Sequence, residues 1–359
     1  MRTLNVGIAG YGVVGKKRRA CIEQHPQLRL TAICDQHFQN SGTMPDGVRY
    51  YHDYRQILAE RLDILFVCLT NDLLSTVTIA GLENSMHVFC EKPPARSIED
   101  LLTVMPYEVK HPKLRLVYGF NHRYHDSVLD ALRIIRSGEL GAIINMRGVY
   151  GKSQLVTFNQ PAWRTNREIA GGGVLLDQGI HMVDLMRLFG GEFDTVHSFV
   201  SNNHWGYDVE DNAYALMRTS NGIVAMLNSS ATQWRHRFNL DINLSRGSIV
   251  LGGLLTGSKS YGAETLTVVR ADPNNDCGDP REESIHYNFD ASWQREIDSF
   301  VAGINSGAAI ESGSSRDALA TMRLVFSIYY ADHEWRTRYN IPNPNSLLPP
   351  SKTSTFTLR

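Results

Sequence analysis

The sequence predicts an α/β protein with an N-terminal doubly wound parallel sheet and a second domain built on a large open, mainly antiparallel sheet. Three observations lead to this class. Short continuous apolar runs alternate with amphipathic stretches in the first third of the chain, and a glycine-rich turn follows the first run. Further on, apolar and polar residues alternate with period two. We expect a first domain over residues 1–120, a second domain over 121–340, and a Pro/Ser/Thr-rich tail over 341–359.

Five apolar runs in the first domain have the form of parallel strands that are buried on both faces. They cover residues 4–9, 28–34, 64–69, 87–90 and 114–118. A helical pattern over 72–84 lies between two of them. Alternation of this kind implies βαβ units with right-handed crossovers.

The continuous apolar runs of the first domain end before Asn121, and we expect the second domain to begin there. Asn221-Gly222 marks a hairpin between strands over 213–218 and 223–230. Period-two alternation continues over 238–244 and resumes at 249–251, which predicts antiparallel strands with one buried face. The other predicted elements are a strand over 143–150, a polar loop over 152–170, and helices over 127–137, 177–190, 293–304 and 315–336.

Composition excludes several classes of function. A formal net charge of −1 gives no field that would attract nucleic acid or an anionic membrane, and no apolar run is long enough to span a bilayer. The run Lys16-Lys17-Arg18-Arg19 is interpreted as an exposed face of the first helix. The cysteines show no metal-type or redox spacing, so we expect a cytoplasmic protein without a metal site; they are Cys21, Cys34, Cys68, Cys90 and Cys277.

The glycine-rich turn is a candidate dinucleotide site. It reads Gly10-Tyr11-Gly12-Val13-Val14-Gly15 and lies between a predicted strand and a predicted helix. Glycines here permit a tight turn and let backbone N–H groups approach a pyrophosphate. Asp35 follows Gly15 by 20 positions, at the end of the second strand, where a carboxylate accepts the ribose hydroxyls. Because this carboxylate would repel a 2′-phosphate and no arginine follows it, we expect NAD rather than NADP.

Two further segments carry candidate catalytic residues. Asp177 and His181 are four positions apart and would share one face of a helix that follows three glycines, where the backbone can pass close to a ligand. A surface Asp–His pair is the alternative, but the apolar neighbours of this pair favour a cleft. Lys92 follows the fourth predicted strand and precedes Pro93-Pro94, at the strand end where ligands bind in such sheets.

These motifs, together with Gly119-Phe-Asn-x-Arg123, occur in the order seen in the Gfo/Idh/MocA family of NAD(P)-dependent oxidoreductases, which the chain resembles over nearly its whole length. The resemblance implies a Rossmann domain and an open sheet whose free face often forms a subunit interface. It implies catalytic roles for Lys92, Asp177 and His181. It also implies cofactor contacts at Leu69, Thr70, Asn71, Glu91, Lys92 and Asn121, and substrate contacts at Arg123, Trp163 and Arg164 as well as at the catalytic residues. Residues 69–74 depart from the Thr-Pro-Asn-x-x-His pattern of many members, so the resemblance does not extend to this loop near the nicotinamide ribose.

The predicted reaction is hydride transfer between a nicotinamide cofactor and a hydroxyl or keto carbon of a sugar or sugar derivative. Either His181 or a neutral Lys92 could be the general base. Cations beside aromatic residues, in the segments 150–153, 164–167 and 233–237, could hold the carboxylate or diphosphate of a sugar acid or nucleotide sugar. The alternatives are a redox-neutral NAD-dependent glycosidase and a non-catalytic dinucleotide-binding regulator. We expect a homodimer or homotetramer that assembles through the open sheet face.

Overall fold

The computed structural model describes residues 2–156, 162–274 and 278–347. Cys277 and the part of the predicted tail that follows residue 347 lie outside the described residues.

The first sheet has seven strands in the order β3-β4-β2-β1-β5-β6-β7, all parallel except for the short antiparallel pair β3 and β4. The strands are β1 (Leu4–Ala9), β2 (Leu28–Cys34), β3 (Gly42–Thr43), β4 (Arg49–Tyr51), β5 (Ile64–Val67), β6 (His87–Glu91) and β7 (Leu116–Gly119). The chain moves outward in both directions from β1, so the topological switch point lies between β1 and β5. Ligands bind at the carboxyl ends of the strands at such a point.

Helices cover this sheet, and local sequence explains where they begin. They are α1 (Val13–Gln24), α2 (Tyr54–Leu58), α3 (Asn71–Glu83) and α4 (Ile98–Lys110). Asp53 and Gln56 form a reciprocal capping box at the start of α2. The Ser97 hydroxyl accepts a hydrogen bond from the Asp100 N–H at the start of α4, at 3.2 Å.

The second sheet has eight strands in the order β15-β14-β13-β12-β8-β11-β10-β9. Only β8 and β11 run parallel to each other, and every other neighbouring pair is antiparallel. The strands are β8 (Ile143–Gly151), β9 (Phe193–Ser201), β10 (Asn212–Thr219), β11 (Val224–Ser230), β12 (Arg237–Leu244), β13 (Gly247–Gly252), β14 (Glu264–Arg270) and β15 (Glu282–Tyr287). The predicted fold class is therefore confirmed.

Helices of the second half of the chain are α5 (Asp126–Ser137), α6 (Arg167–Ala170), α7 (Ile180–Gly190), α8 (Ser292–Ser306), α9 (Ser315–Ala331) and α10 (His333–Tyr339). Helix α7 packs on β8 and β11. Strand β10 shows how one face of the sheet is filled, because its residues alternate between buried and exposed along its length. The opposite face leaves large apolar side chains exposed, among them Ile144, Phe199, Tyr214, Leu216 and Met226.

Helix α8 returns to the first sheet. Its apolar side chains Ile297, Phe300 and Val301 lie in the same buried cluster as Ile8 and Phe89. The Phe300 ring meets the Phe89 ring edge-on, with centroids 5.7 Å apart. A segment distant in sequence thus completes the core beside the dinucleotide-binding strands.

The structure differs from the sequence-based expectations in three places. The helix expected from Asp177 begins as a π-helical turn, Leu175–Gly179, before α7. The helix expected over 315–336 ends at Ala331, and the Asp332 carboxylate caps α10 by accepting the Trp335 N–H. Several elements were not predicted individually, among them strands β9, β14 and β15 and helix α4.

Candidate active site

The candidate site is formed by residues that lie at the ends of strands in both sheets. Gly10, Asp35 and Lys92 each directly follow a parallel strand of the first sheet. In the second sheet, β8 and β11 end opposite each other at Gly151 and Ser230. The loops that follow these two strands share an edge with the beginning of β12 at Arg237.

The glycine turn has the geometry that a dinucleotide requires. Gly10 has a φ of +94°, and a Cβ atom there would lie 2.2 Å from the Cys68 carbonyl oxygen, so only glycine fits. A Cβ atom at Gly12 would meet no other atom within 4 Å, which leaves open space over the turn. Helix α1 begins at Val13 without a side-chain cap, so its first N–H groups are available to an anion.

The Asp35 carboxylate, at the end of β2, accepts a hydrogen bond from the glycine turn. Its Oδ2 accepts the Tyr11 N–H at 2.8 Å, and its Oδ1 accepts the His37 N–H at 3.0 Å. Burial would raise the pKa of Asp35, but the bonds from His37 and Tyr11 keep it below the usual value. A groove runs past this carboxylate and is lined by Tyr11, Gly12, Lys16, Asp35, His37 and Phe38. The residues present fit the adenosine half of NAD.

Three cationic side chains converge on Asp177. Lys152 Nζ donates to Asp177 Oδ2 at 3.0 Å, and Arg164 Nε lies 3.3 Å from Oδ1. Lys92 Nζ donates to the Asp177 backbone carbonyl at 2.5 Å and lies 4.0 Å from Oδ1. One carboxylate therefore faces three cations, and the cluster carries an excess of positive charge.

Burial and mutual charge set the protonation of this cluster. Burial lowers the pKa of Lys92, and the positive charges of Arg164 and Lys152 lower it further against the opposing effect of Asp177. Burial would raise the pKa of Asp177, but Lys152, Lys92 and Arg164 together hold it far below its usual range. Asp177 is thus a permanent anion, and Lys92 loses its proton more readily than an ordinary lysine.

His181 lies beside this cluster in an aromatic stack. Its ring lies nearly parallel to that of His122, with centroids 3.6 Å apart and an interplanar angle of 12°. The Phe120 ring meets it edge-on at 6.4 Å. Burial lowers the pKa of His181 well below its ordinary value, with Lys92 and His125 acting in the same direction and Asp177 opposing them. His181 is consequently a neutral imidazole at pH 7.

Comparison with protein families agrees with this geometry. Residues 4–120 match the oxidoreductase family model with an NAD-binding Rossmann fold, and residues 128–250 match the GFO/IDH/MocA C-terminal domain model. The chain belongs to the Gfo/Idh/MocA oxidoreductase family. It is accordingly an oxidoreductase with an NAD-binding Rossmann domain.

Several relatives are dehydrogenases of sugars and polyols. Levoglucosan dehydrogenase of Pseudarthrobacter phenanthrenivorans is 28% identical over 301 residues, which are 70% of this chain and 74% of that protein. D-glucoside 3-dehydrogenase of Escherichia coli is 30% identical over 252 residues, covering 63% and 70% of the two chains. A solved structure of levoglucosan dehydrogenase with NADH and levoglucosan superposes with a TM-score of 0.79 at 21% identity, over 93% of this chain and 98% of that one.

Within this Gfo/Idh/MocA protein, the side chain of Glu91, for which the resemblance implies a cofactor contact, forms a buried ion pair. Its Oε1 accepts from Arg18 Nε at 2.6 Å, and Arg18 Nη2 donates to Glu296 Oε2 of α8 at 2.7 Å. Arg18 is fully buried, so the expectation of an exposed basic face on α1 is wrong at this residue. Two carboxylates compensate the buried guanidinium, which is why the helix can bury it.

Arg123 is also placed differently from the expectation of a substrate contact. Its guanidinium forms a bidentate pair with Asp184 at 2.6 Å for both bonds, and its Nη1 also pairs with Asp317. Asp184 is fully buried and accepts the Thr321 hydroxyl as well. Arg123 thus links α7 to α9, and all three of its guanidinium nitrogens donate hydrogen bonds within the protein.

The remaining predicted residues make contacts between elements. Asn71 Nδ2 donates to the Ala170 carbonyl at 2.7 Å, and Thr70 precedes α3 without a side-chain cap bond. Asn121 Nδ2 donates to the Ser292 hydroxyl at 3.0 Å. Leu69 is half-buried in the loop between β5 and α3. Trp163 and Arg164 share a short 3-10 turn, where the guanidinium lies 4.5 Å from the ring centroid.

The triple glycine permits close packing within the protein. A Cβ atom at Gly171 would lie 2.1 Å from the Arg96 carbonyl oxygen, and one at Gly173 would lie 2.0 Å from the Glu210 carbonyl oxygen. The buried Glu210 carboxylate accepts the N–H groups of Gly173 and Leu175 at 2.7 and 2.9 Å. This packing fixes the start of the Asp177 turn, and the expected close approach of a ligand to the glycines stays a prediction.

Two neighbours of the site were missed as individual residues. His122 is the variable position of the Gly-Phe-Asn-x-Arg motif, so only its residue type could have drawn attention to it. Lys152 is one of several cationic residues in the predicted loops, and the sequence does not distinguish it from the others. Its hydrogen bond to Asp177 depends on the pairing of β8 with β11. Over residues 2–156, 162–274 and 278–347, no group of side chains could hold a metal ion and no helix could cross a membrane.

Proposed function

We propose that this oxidoreductase is an NAD-dependent dehydrogenase that oxidises a ring hydroxyl of an anionic sugar derivative, namely a sugar acid or a nucleotide sugar. The observation that supports it most is the convergence of Lys92, Lys152 and Arg164 on the single carboxylate of Asp177. Dehydrogenases of levoglucosan, glucosides and inositol among the relatives favour a sugar-type substrate.

The charge excess supports an anionic group on the substrate. Lys152 is only 5% exposed, and among the residues that the structure describes it pairs with one carboxylate, Asp177, which it shares with Arg164 and Lys92. Burying cations without matching anions is unfavourable. A substrate carboxylate or phosphate would supply the missing negative charge, and the Arg164 guanidinium is suited to bind it in a forked geometry.

His181 is proposed as the general base. A neutral imidazole at pH 7 can accept the proton of the reacting hydroxyl as the C–H bond is broken. Its Nδ1 is buried without a hydrogen-bond partner among the described residues, so Nε2 is the nitrogen that we assign to the substrate. The parallel His122 ring fixes the plane of the imidazole.

Lys92 and Asp177 complete the site in this proposal. The Lys92 ammonium stabilises the negative charge that develops on the substrate oxygen. Asp177 holds the cations in place through its two carboxylate oxygens, and it accepts hydrogen bonds from sugar hydroxyls at its open side. NAD, when bound along the glycine turn, supplies the hydride acceptor. The Asp35 carboxylate selects NAD over NADP, because it would repel a 2′-phosphate.

The reaction is tested by NADH fluorescence after the purified protein and NAD are mixed with neutral sugars, inositols, sugar acids and nucleotide sugars. The proposal predicts a rise with acidic sugars that His181→Asn reduces by about 10²- to 10⁴-fold, the usual contribution of a general base. The change should appear in turnover while NAD affinity stays within twofold of wild type. Unchanged turnover of His181→Asn would assign the base elsewhere, and no rise with any acidic sugar would contradict the substrate class.

We also propose that the protein is a homo-oligomer assembled through the outer face of the second sheet. Phe199 is 80% exposed there, and Tyr214 and Leu216 are each 50% exposed. Contiguous apolar surface of this kind is rarely left open to water. Leu216→Lys should lower the molar mass measured by light scattering at micromolar concentration, and Val109→Lys on α4 is the matched control. An unchanged mass for Leu216→Lys would exclude this face.

A further inference from the structure

The segment that joins β11 to β12 carries an aromatic side chain that neither the fold nor the reaction uses. Trp234 is 68% exposed, although tryptophan normally buries most of its large apolar surface. Its ring meets the rings of Trp205 and His204 edge-on, at centroid distances of 6.2 and 5.8 Å. Edge contacts of this kind leave a face of the indole ring available.

The platform formed by Trp234, Trp205 and His204 is rigidly supported. Trp205 Nε1 donates to the Ala231 carbonyl at 2.6 Å, which joins the 202–211 loop to the 231–236 loop. The Asp211 carboxylate, only 1% exposed, accepts the backbone N–H groups of His204 and Trp205 at 2.9 and 3.0 Å. A preformed surface of this kind loses little conformational entropy when it binds a ring.

Two connections place the platform beside the candidate active site. The Gln233 N–H donates to the Lys152 carbonyl at 2.9 Å, and Lys152 in turn reaches Asp177. Consecutive Cα atoms are about 3.8 Å apart and hydrogen-bonded strands about 5 Å apart, so the Cα atoms of Trp234 and Lys152 lie within about 9 Å. On the other side, Trp205 packs on the buried cluster that contains Val174, three residues before Asp177.

We propose that Trp234 forms an outer subsite that stacks against a second ring of the substrate, beyond the ring that is oxidised. The occupant is a ring that presents either an apolar C–H face or a π face, namely the next pyranose of a glycoside or the base of a nucleotide sugar. This subsite rests on the proposed function for its sugar-type ligand. The exposed Arg235 next to it lies where a linking phosphate or carboxylate would pass.

Calorimetric titration of the NAD-saturated enzyme tests the subsite without requiring turnover. The probes are D-glucuronate with one ring, a glucuronyl-glucose disaccharide with two sugar rings, and UDP-glucuronate with a sugar and a base. Trp234→Ala should weaken binding of at least one two-ring probe by about tenfold, a typical loss for a stacked aromatic. Binding of D-glucuronate should change by less than twofold. Trp234→Phe should recover most of the loss, and Val109→Ala is the surface control.

The two two-ring probes distinguish the sources of the ring. A loss confined to the disaccharide assigns a pyranose subsite, and a loss confined to UDP-glucuronate assigns a base subsite. Equal losses for one-ring and two-ring probes, or wild-type enzyme that binds neither two-ring probe more tightly than D-glucuronate, would overturn the proposal. A lowered molar mass of Trp234→Ala with unchanged binding would instead assign the platform to a subunit contact. Failure of the proposed function is seen separately, as absent NADH formation.

Discussion

Replacing the buried Arg18 by methionine should destabilise the protein strongly. The guanidinium is fully buried and bonds to Glu91 at 2.6 Å and to Glu296 at 2.7 Å. Methionine keeps an apolar side chain between Phe89 and Trp293, whose ring centroids lie 4.3 Å from the guanidinium carbon. The substitution removes the positive charge that compensates the two buried carboxylates. Removing one partner of a buried ion pair costs about 3–5 kcal/mol, a large part of a typical total stability of about 5–15 kcal/mol.

The pH dependence of this loss identifies its cause. Burial already raises the pKa of Glu296 to about 7, against the attraction of Arg18. Without Arg18, the folded-state pKa of Glu296 rises further above its unfolded value. Protonated carboxyls tolerate burial, so the penalty is small below the unfolded pKa of about 4.3 and grows as the pH rises through the folded pKa. The Arg18→Met protein should therefore be closer to wild type at pH 5 than at pH 8.

Urea unfolding at both pH values measures the effect. With an m value of about 3 kcal/mol/M, a loss of about 4 kcal/mol lowers the midpoint at pH 8 by more than about 1 M. The double variant Arg18→Met, Glu296→Gln is the matched control and should recover part of the stability, because it removes one of the uncompensated charges. A loss below about 1 kcal/mol, or an equal loss at pH 5 and pH 8, would refute the reasoning.

Three further outcomes are expected. Asp35→Ser should raise the Michaelis constant for NAD about tenfold and lower the ratio of kcat/KM with NAD to kcat/KM with NADP. An unchanged ratio would contradict the role of this carboxylate. On its acidic side, the pH profile of kcat/KM for oxidation should lose rate as the pH falls through the lowered pKa of His181; an acidic limb above pH 6.5 would contradict a neutral His181. Glu210→Ala should cost about 2–3 kcal/mol in urea unfolding, because two N–H groups lose their acceptor, and a loss below 0.5 kcal/mol would refute this.

Much of the fold could be predicted because the two sheets have different sequence periods. Continuous apolar runs marked the buried parallel strands, and β1 and β2 begin and end at the predicted residues. Alternation marked β12 and its hairpin partner β13. The irregular π-turn at Leu175–Gly179 could not be predicted, because Glu210, distant in sequence, holds its backbone.

The candidate site was predictable at the level of motifs and less so at the level of contacts. Spacing placed Asp177 and His181 together, and strand-end position singled out Lys92. The partners of charged residues depend on tertiary structure, since Arg123 pairs with Asp317 of α9 and Arg18 with Glu296 of α8. No local pattern distinguishes an arginine that will be buried between carboxylates from one that faces solvent.

The most direct test of the proposed function is the ratio of kcat/KM for D-glucuronate to that for D-glucose, in wild type and in Lys152→Met. Two unit charges about 6 Å apart at an effective dielectric constant of about 20 interact by about 2.8 kcal/mol, which corresponds to about a 100-fold change in kcat/KM. Because salt screens part of this interaction, we expect a change of about tenfold. The account predicts that wild type prefers the acid and that Lys152→Met lowers kcat/KM for the acid about tenfold more than for the neutral sugar. Equal preference in wild type, or equal losses on both sugars in the variant, would contradict it.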